Sequence, residues 1–140
     1  LQGSIAYKKD LIGIIDGNSS SGIYGHMSSV YCTQRYVNAE KMYIAKRDSV
    51  HEGTAYIYSR MSGELRKYEI EIEQVAKDAP DKNMEFRVTS QELLDLTGGI
   101  VQGQSGSPIV QDGKIVGAVT HVFVDDPTHG YGIFIENMLR

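Results

Sequence analysis

From Leu65 to Val75 the chain alternates. Tyr68, Ile70 and Ile72 fall on one side, and Lys67, Glu69, Glu71 and Glu73 fall on the other. Period-two alternation predicts a half-buried strand with one wet face, and the glutamate stripe reads as that solvated face. Thr54 to Tyr58, β-branched and aromatic, precedes it across a Ser62-Gly63 turn signal, so the pair predicts a hairpin. Further extended runs are Ser4–Tyr7, Leu11–Ile15, Gly22–Gly25, Met42–Ala45, Glu85–Val88, Ile109–Val110, Ile115–Val124 and Tyr131–Ile135. Polar or glycine- and proline-bearing segments separate them: Lys8–Asp10, Asp16–Ser21, Lys77–Asn83, Asp112-Gly113 and Asp125–Gly130. Ser90 can cap a short helix over residues 90–96 with Leu93, Leu94 and Leu96 inward, stopped by Gly98-Gly99. A second helical stretch is expected at Glu136–Leu139, and His26 to Asn38 takes no clear assignment. Helix is thus expected only near residues 90–96 and at the C-terminus. Many short strands with turns between them predict an all-β antiparallel barrel or sandwich.

Composition narrows the functional classes. The 140 residues suffice for one core, and 41% hydrophobic with 23% charged is ordinary for a globular domain. The net charge of −4, with scattered basic residues, carries no electrostatic footprint for nucleic acid. The single cysteine, Cys32, excludes an internal disulfide framework and reads, with Tyr24, Tyr31 and Tyr36, as packing. His26, His51, His121 and His129 stand apart with no cysteine pair, so neither a metal nor another cofactor is expected. No apolar run has the length of a membrane helix. The chain opens at Leu1 and stops at Arg140 with an apolar pattern still running, and it reads as a piece of a longer protein.

The chemistry concentrates at Gly103-Gln104-Ser105-Gly106-Ser107-Pro108. Glycines on both sides place Ser105 on a tight turn, and Pro108 fixes φ where the chain becomes extended again. Such a turn can expose the Ser105 hydroxyl and aim the Gly103 and Ser105 N–H groups at one point, the pair of donors a developing oxyanion needs. A bare Gly-x-Ser-Gly would equally suit a turn whose serine only satisfies backbone groups. Here a Ser-Pro step, a short strand, the Asp112-Gly113 hairpin and the apolar strand from Ile115 follow. Together they resemble the nucleophile region of trypsin-like serine proteases.

From Thr97 to Leu139 the likeness is closer. Thr97 to Pro108, the hairpin after it, and Gly117-Ala-Val-Thr-His-Val-Phe-Val-Asp-Asp-Pro-Thr-His-Gly-Tyr-Gly132 resemble the C-terminal part of the stage IV sporulation protein B peptidases of endospore-forming bacteria. Weaker similarity reaches back through Tyr68–Ile72 and Gly53–Ala55 to Ile12–Gly25. The resemblance implies a chymotrypsin-like serine peptidase, with residues 1–140 as a fragment of the peptidase domain. In the parent it implies an upstream membrane anchor and a PDZ domain. It further implies self-cleavage and secretion from the forespore into the space between forespore and mother-cell membranes. The partners it implies are the protein's own N-terminal region or PDZ domain and a peptide substrate, a membrane-bound regulator of an intramembrane protease. Cutting that regulator triggers sigma-factor processing.

The resemblance assigns Ser105 as nucleophile and Gly103 and Ser105 as oxyanion donors. It places the general base in a Gly-His motif well upstream of the segment that is Asn18 to Gly25 here, hence before Leu1. His26, in Gly25-His26, is then the lesser candidate for the base, otherwise an exposed loop histidine. The family's aspartate, fifteen residues before the nucleophile, corresponds to Ser90. A hydroxyl there can accept from imidazole but cannot offset its charge. Asp95 reads as the solvent face of the short helix. His121 is a candidate wall of the substrate pocket or a histidine at the core edge, and Tyr131 reads as an aromatic on an edge strand. Two functions remain open: a serine endopeptidase domain, or an inactive peptidase-like binding scaffold.

Overall fold

The computed structural model describes residues 12–20, 22–36 and 41–139, so the expected strand Ser4–Tyr7 lies outside the described residues. The chain forms two compact units, Leu1–Lys41 and Met42–Arg140.

The first unit holds β1 (Gly13–Ser19), β2 (Gly22–Met27) and α1 (Ser29–Tyr36). β1 and β2 pair antiparallel, with a register shift between Ile15 and Gly17. β1 therefore runs through Asp16–Asn18, which the sequence assigned to a loop. Cross-strand pairing overrides the weak β preference of Asp, Gly and Asn, and the irregularity takes up the misfit. α1 is a second correction, because no helix was expected there. The Tyr31 N–H donates to the Ser28 hydroxyl at 3.3 Å, a cap contact that a polar, tyrosine-rich stretch does not advertise.

The second unit is a closed antiparallel barrel in the order β3-β4-β5-β8-β7-β6. Its strands are β3 (Gly53–Ser59), β4 (Arg66–Val75), β5 (Met84–Val88), β6 (Pro108–Gln111), β7 (Lys114–Val122) and β8 (His129–Phe134). β3 pairs with β6 through Tyr56–Val110 and Ile57–Ile109, which closes the ring and removes its free edges. The alternation along β4 lands as expected: Tyr68, Ile70 and Ile72 are buried, while Glu69 and Glu73 face out. Asp112 and Gly113 both take positive φ, 51° and 72°, the backbone of a tight two-residue hairpin.

Several expectations need correction. Met42–Ala45 forms no strand; a parallel bridge from Ile44 to Ile115 joins it to the barrel, and Ala45 is buried in the core. β7 ends at Val122, and Val124 is fully out in solvent. Tyr131 is not on an edge, because β8 lies between β5 and β7. In α2 (Gln91–Thr97) Leu93 is buried but Leu96 is exposed, since a two-turn helix can present only a narrow stripe inward.

The barrel interior is filled by large side chains set against glycine. A Cβ on Gly132 would stand 2.6 Å from the Ile109 Cδ1, and one on Gly130 2.8 Å from the Phe86 ring. At Gly117 it would lie 1.9 Å from the Ile133 carbonyl oxygen and 2.7 Å from the Met84 Cε. Next to this wall, Asn83 is completely buried. Its amide nitrogen donates to the carbonyls of Ala76 and Ala79, at 3.2 and 2.6 Å. Its oxygen accepts from the Phe134 N–H and the Asn137 amide, each at 3.0 Å. The 76–83 loop is thereby fastened to the end of β8 and to α3 (Ile135–Met138). Arg47 extends the network by donating to Asn137 at 2.8 Å and to Glu136 at 3.1 Å.

Because the obstacle at Gly117 is a ladder carbonyl, Gly117→Ala should force β7 and β8 apart. The expected loss is about 2–3 kcal/mol, the upper range for overpacking a core. Thermal denaturation of the variant checks it, and an unchanged midpoint would contradict the close approach.

Candidate active site

The residues flanking Ser105 are anchored before and after it. Upstream, the Ser90 hydroxyl caps α2 by accepting from the Leu93 N–H at 3.3 Å. Gly98, at φ 74°, ends the helix in the left-handed conformation and returns its N–H to the Leu94 carbonyl. The Ile100 N–H then donates to the Pro127 carbonyl at 2.7 Å, pinning the chain to the loop between β7 and β8.

The turn itself is sewn onto β7. Gln104 N–H reaches the Val101 carbonyl at 3.2 Å, and Ser107 N–H reaches the Gln104 carbonyl at 3.0 Å. Gly106 N–H donates to Val119 at 2.8 Å, and Val119 N–H donates back to Ser107 at 3.0 Å. Gly103 and Gly106 hold φ of 97° and 87°, conformations that a side chain would strain. The Ser105 side chain is exposed, and its hydroxyl donates to the Thr120 carbonyl at 3.2 Å. Among the described residues no acceptor lies on the Gly103 or Ser105 N–H. The turn thus leaves an accessible hydroxyl beside backbone donors that are free to receive an anion.

Among the described residues no histidine of the barrel unit hydrogen-bonds Ser105, and His51 and His129 have other partners. His51 Nε2 meets Asp112 Oδ2 at 2.9 Å, and its Nδ1 meets the Glu52 carbonyl at 2.8 Å. The Glu52 carbonyl, and after it Asp112, raise the imidazole above the usual histidine range. His129 Nδ1 meets Asp126 Oδ2 at 2.6 Å, with Glu73 3.5 Å from its other nitrogen. Hydrogen bonds from Thr128, and then from His129, hold the Asp126 carboxyl below its ordinary value. His121 is exposed on β7 and borders a shallow cavity with Lys82, Phe123 and Tyr131. In the first unit His26 lies on β2, not in a loop, and is paired with Asp16. Ser90 spends its hydroxyl on the α2 cap, and Asp95, exposed as expected, accepts from Gln91. Among the described residues no cluster of histidine, cysteine and carboxylate ligands could hold a metal.

Two features had no legible signal in the sequence. One is a groove of about 470 Å³ between the turn and the β3–β4 hairpin, lined by Ser105, Pro108, Tyr58, Arg60, Met61 and Leu65 among others. It exists only because β6 pairs with β3. The other is Gln104, which is 1% exposed, with neither its amide oxygen nor its nitrogen partnered among the described residues. Leaving such a group unpaired costs about 1–3 kcal/mol. Gln104→Met keeps the length and apolar volume of the side chain and removes that cost. The variant should therefore melt higher, with a gain of up to about 2 kcal/mol in denaturant titration. A loss of stability would show that the amide is satisfied.

The family model described as SpoIVB peptidase S55 matches residues 1–139. No curated protein matches the chain. Among solved structures, the active form of the Rv3671c protease from M. tuberculosis is similar at a TM-score of 0.59 and 12% identity, covering 91% of this chain and 55% of that one. An inactive form of Rv3671c from M. tuberculosis H37Rv, carrying a serine-to-alanine mutation, gives 0.57 at 11% identity and covers 91% and 61%. A further inactive form of that protease gives 0.55 at 12% and covers 91% and 63%. The chain spans roughly six-tenths of the length of those chains. Likeness at such low identity speaks for the fold, here that of the trypsin-like serine proteases. With a family model covering residues 1–139, the chain belongs to the SpoIVB peptidase S55 family.

Proposed function

We propose that this chain is a serine endopeptidase domain with Ser105 as its nucleophile. The observation that carries the reading is the turn: an exposed hydroxyl between left-handed glycines, with the Gly103 and Ser105 N–H groups free of acceptors among the described residues. Ser105 Oγ turns from the Thr120 carbonyl, attacks a peptide carbonyl and gives its proton to a base. The Gly103 and Ser105 N–H groups hold the oxyanion. The amine leaves with that proton, and water then cleaves the acyl-enzyme. None of His51, His121 and His129 hydrogen-bonds Ser105, which supports a base supplied from outside the barrel unit, as the family resemblance implies. Family membership supports extending the proposal to the parent protein. That protein cleaves itself and a membrane-bound regulator in a sporulation signalling pathway, after secretion from the forespore.

One observation favours the alternative, an inactive peptidase-like binding domain. The Ser90 hydroxyl, at the position where the resembling family carries its aspartate, is committed to a helix cap. A fluorophosphonate probe separates the two, because it phosphonylates a serine activated by a base, with fluoride as the leaving group. Labelling of the full-length protein at Ser105, lost in Ser105→Ala, is the expected result. Absence of label on the folded full-length protein would favour the scaffold.

The isolated chain of residues 1–140 should be inactive, since losing the base of a triad typically costs a factor on the order of a million. In the full-length protein His26→Ala should leave peptide hydrolysis nearly intact while Ser105→Ala abolishes it. If His26→Ala is as inactive as Ser105→Ala, His26 with its Asp16 partner is the base after all.

A further inference from the structure

The groove beside Ser105 is bounded by groups with a definite chemistry. β6 begins at Pro108 and has β7 on one side and β3 on the other. Ser105 reaches the β7 side through the Thr120 carbonyl. The groove lies on the opposite side, under the β3–β4 hairpin tip. A peptide whose acyl half runs beside β7 would therefore lay the residues after the scissile bond into this groove.

Arg60 is the charged residue on its wall. Arg47 pairs with Glu136, Arg66 with Glu92, and Arg87 with Glu73. Arg60 is exposed, and its guanidinium has no carboxylate partner among the described residues. Glu64, in the same hairpin tip, leans 4.0 Å from Arg66 instead. Met61 and Leu65 flank Arg60 on the groove wall and are 36% and 57% exposed. Short apolar surface leading to an uncommitted guanidinium suits one kind of occupant. Its methylenes cover Met61 and Leu65, and its carboxylate takes the planar fork of the arginine.

We propose that this groove binds the leaving-group side of the peptide substrate and that Arg60 selects an acidic side chain there, glutamate above all. The proposal rests on the peptidase reading for the direction of the peptide. Its test does not depend on the serine being reactive.

The experiment measures binding to full-length protein carrying Ser105→Ala. The probes are fluorescein-labelled peptide pools, amidated at the C-terminus so that no terminal carboxylate competes. Each pool has Glu, Gln or Lys fixed at one position and mixed residues elsewhere. At one position the Glu pool should bind about fivefold more tightly than the matching Gln pool, as a well-formed exposed charge pair allows, with Lys weakest. The advantage should shrink as salt is raised. Arg60→Glu should reverse the order to favour Lys, and Arg60→Lys should keep its sign at reduced size, both at an unchanged melting temperature. Equal binding of the three pools overturns the proposal. So does a Glu preference that survives Arg60→Glu, or no binding of any pool. The expected charge order on the Ser105→Ala protein, together with no fluorophosphonate label on the full-length protein that retains Ser105, would keep the groove and remove the peptidase reading.

Discussion

The barrel closes because β7 and β8 carry glycine where β5 and β6 carry bulk. Met84, Phe86 and Ile109 project into space that Cβ atoms on Gly117, Gly130 and Gly132 would occupy. Interiors are packed to crystal-like density, so these large side chains and the bare backbone opposite them have to match. A side chain at Gly117 would also collide with the carbonyl of Ile133, the strand-to-strand contact itself. The rest of the unit depends on this match. It sets where β7 runs, and β7 supplies the carbonyls of Val119 and Thr120 that fix the Ser105 turn and its hydroxyl.

The site is thus built mostly from backbone. The turn takes its shape from glycines at positive φ and from hydrogen bonds to β7, and the donors proposed to hold an anion are main-chain N–H groups. Main-chain donors need no side-chain ordering, which suits stabilisation of a charge that appears only in a transition state. The unpaired amide of Gln104 lies at the centre of this arrangement. Stability and geometry pull apart there, because the residue between Gly103 and Ser105 also carries a buried amide with no partner among the described residues.

The polar and charged groups around the barrel divide by burial. Asn83, Asn137 and Arg47 form a network in which each buried polar atom has a partner, and it fastens the loops at one end of the barrel. Pairs such as His51–Asp112 are half-exposed or more and add little to stability. Arg60, without any such pair among the described residues, remains available to a ligand.

Several elements followed from sequence alone because their causes are local. Alternation sets the buried face of β4, Asp112-Gly113 sets a hairpin, Ser90 and Gly98 bound α2, and Gly103 to Pro108 sets a serine-bearing turn. Each of these depends on residues within a few positions of one another, where φ preference, capping and period-two patterning act directly. What the tertiary structure decided depends on residues far apart in the chain. β1 crosses a loop-like Asp-Gly-Asn because β2 pairs with it, and Tyr131 becomes interior to the sheet because β5 lies beside β8. The groove with Arg60 on its wall exists because β3 meets β6, bringing residues about fifty positions apart to one surface. No local pattern records such a meeting, since it is fixed only when the ring of strands closes and the interior volumes fit.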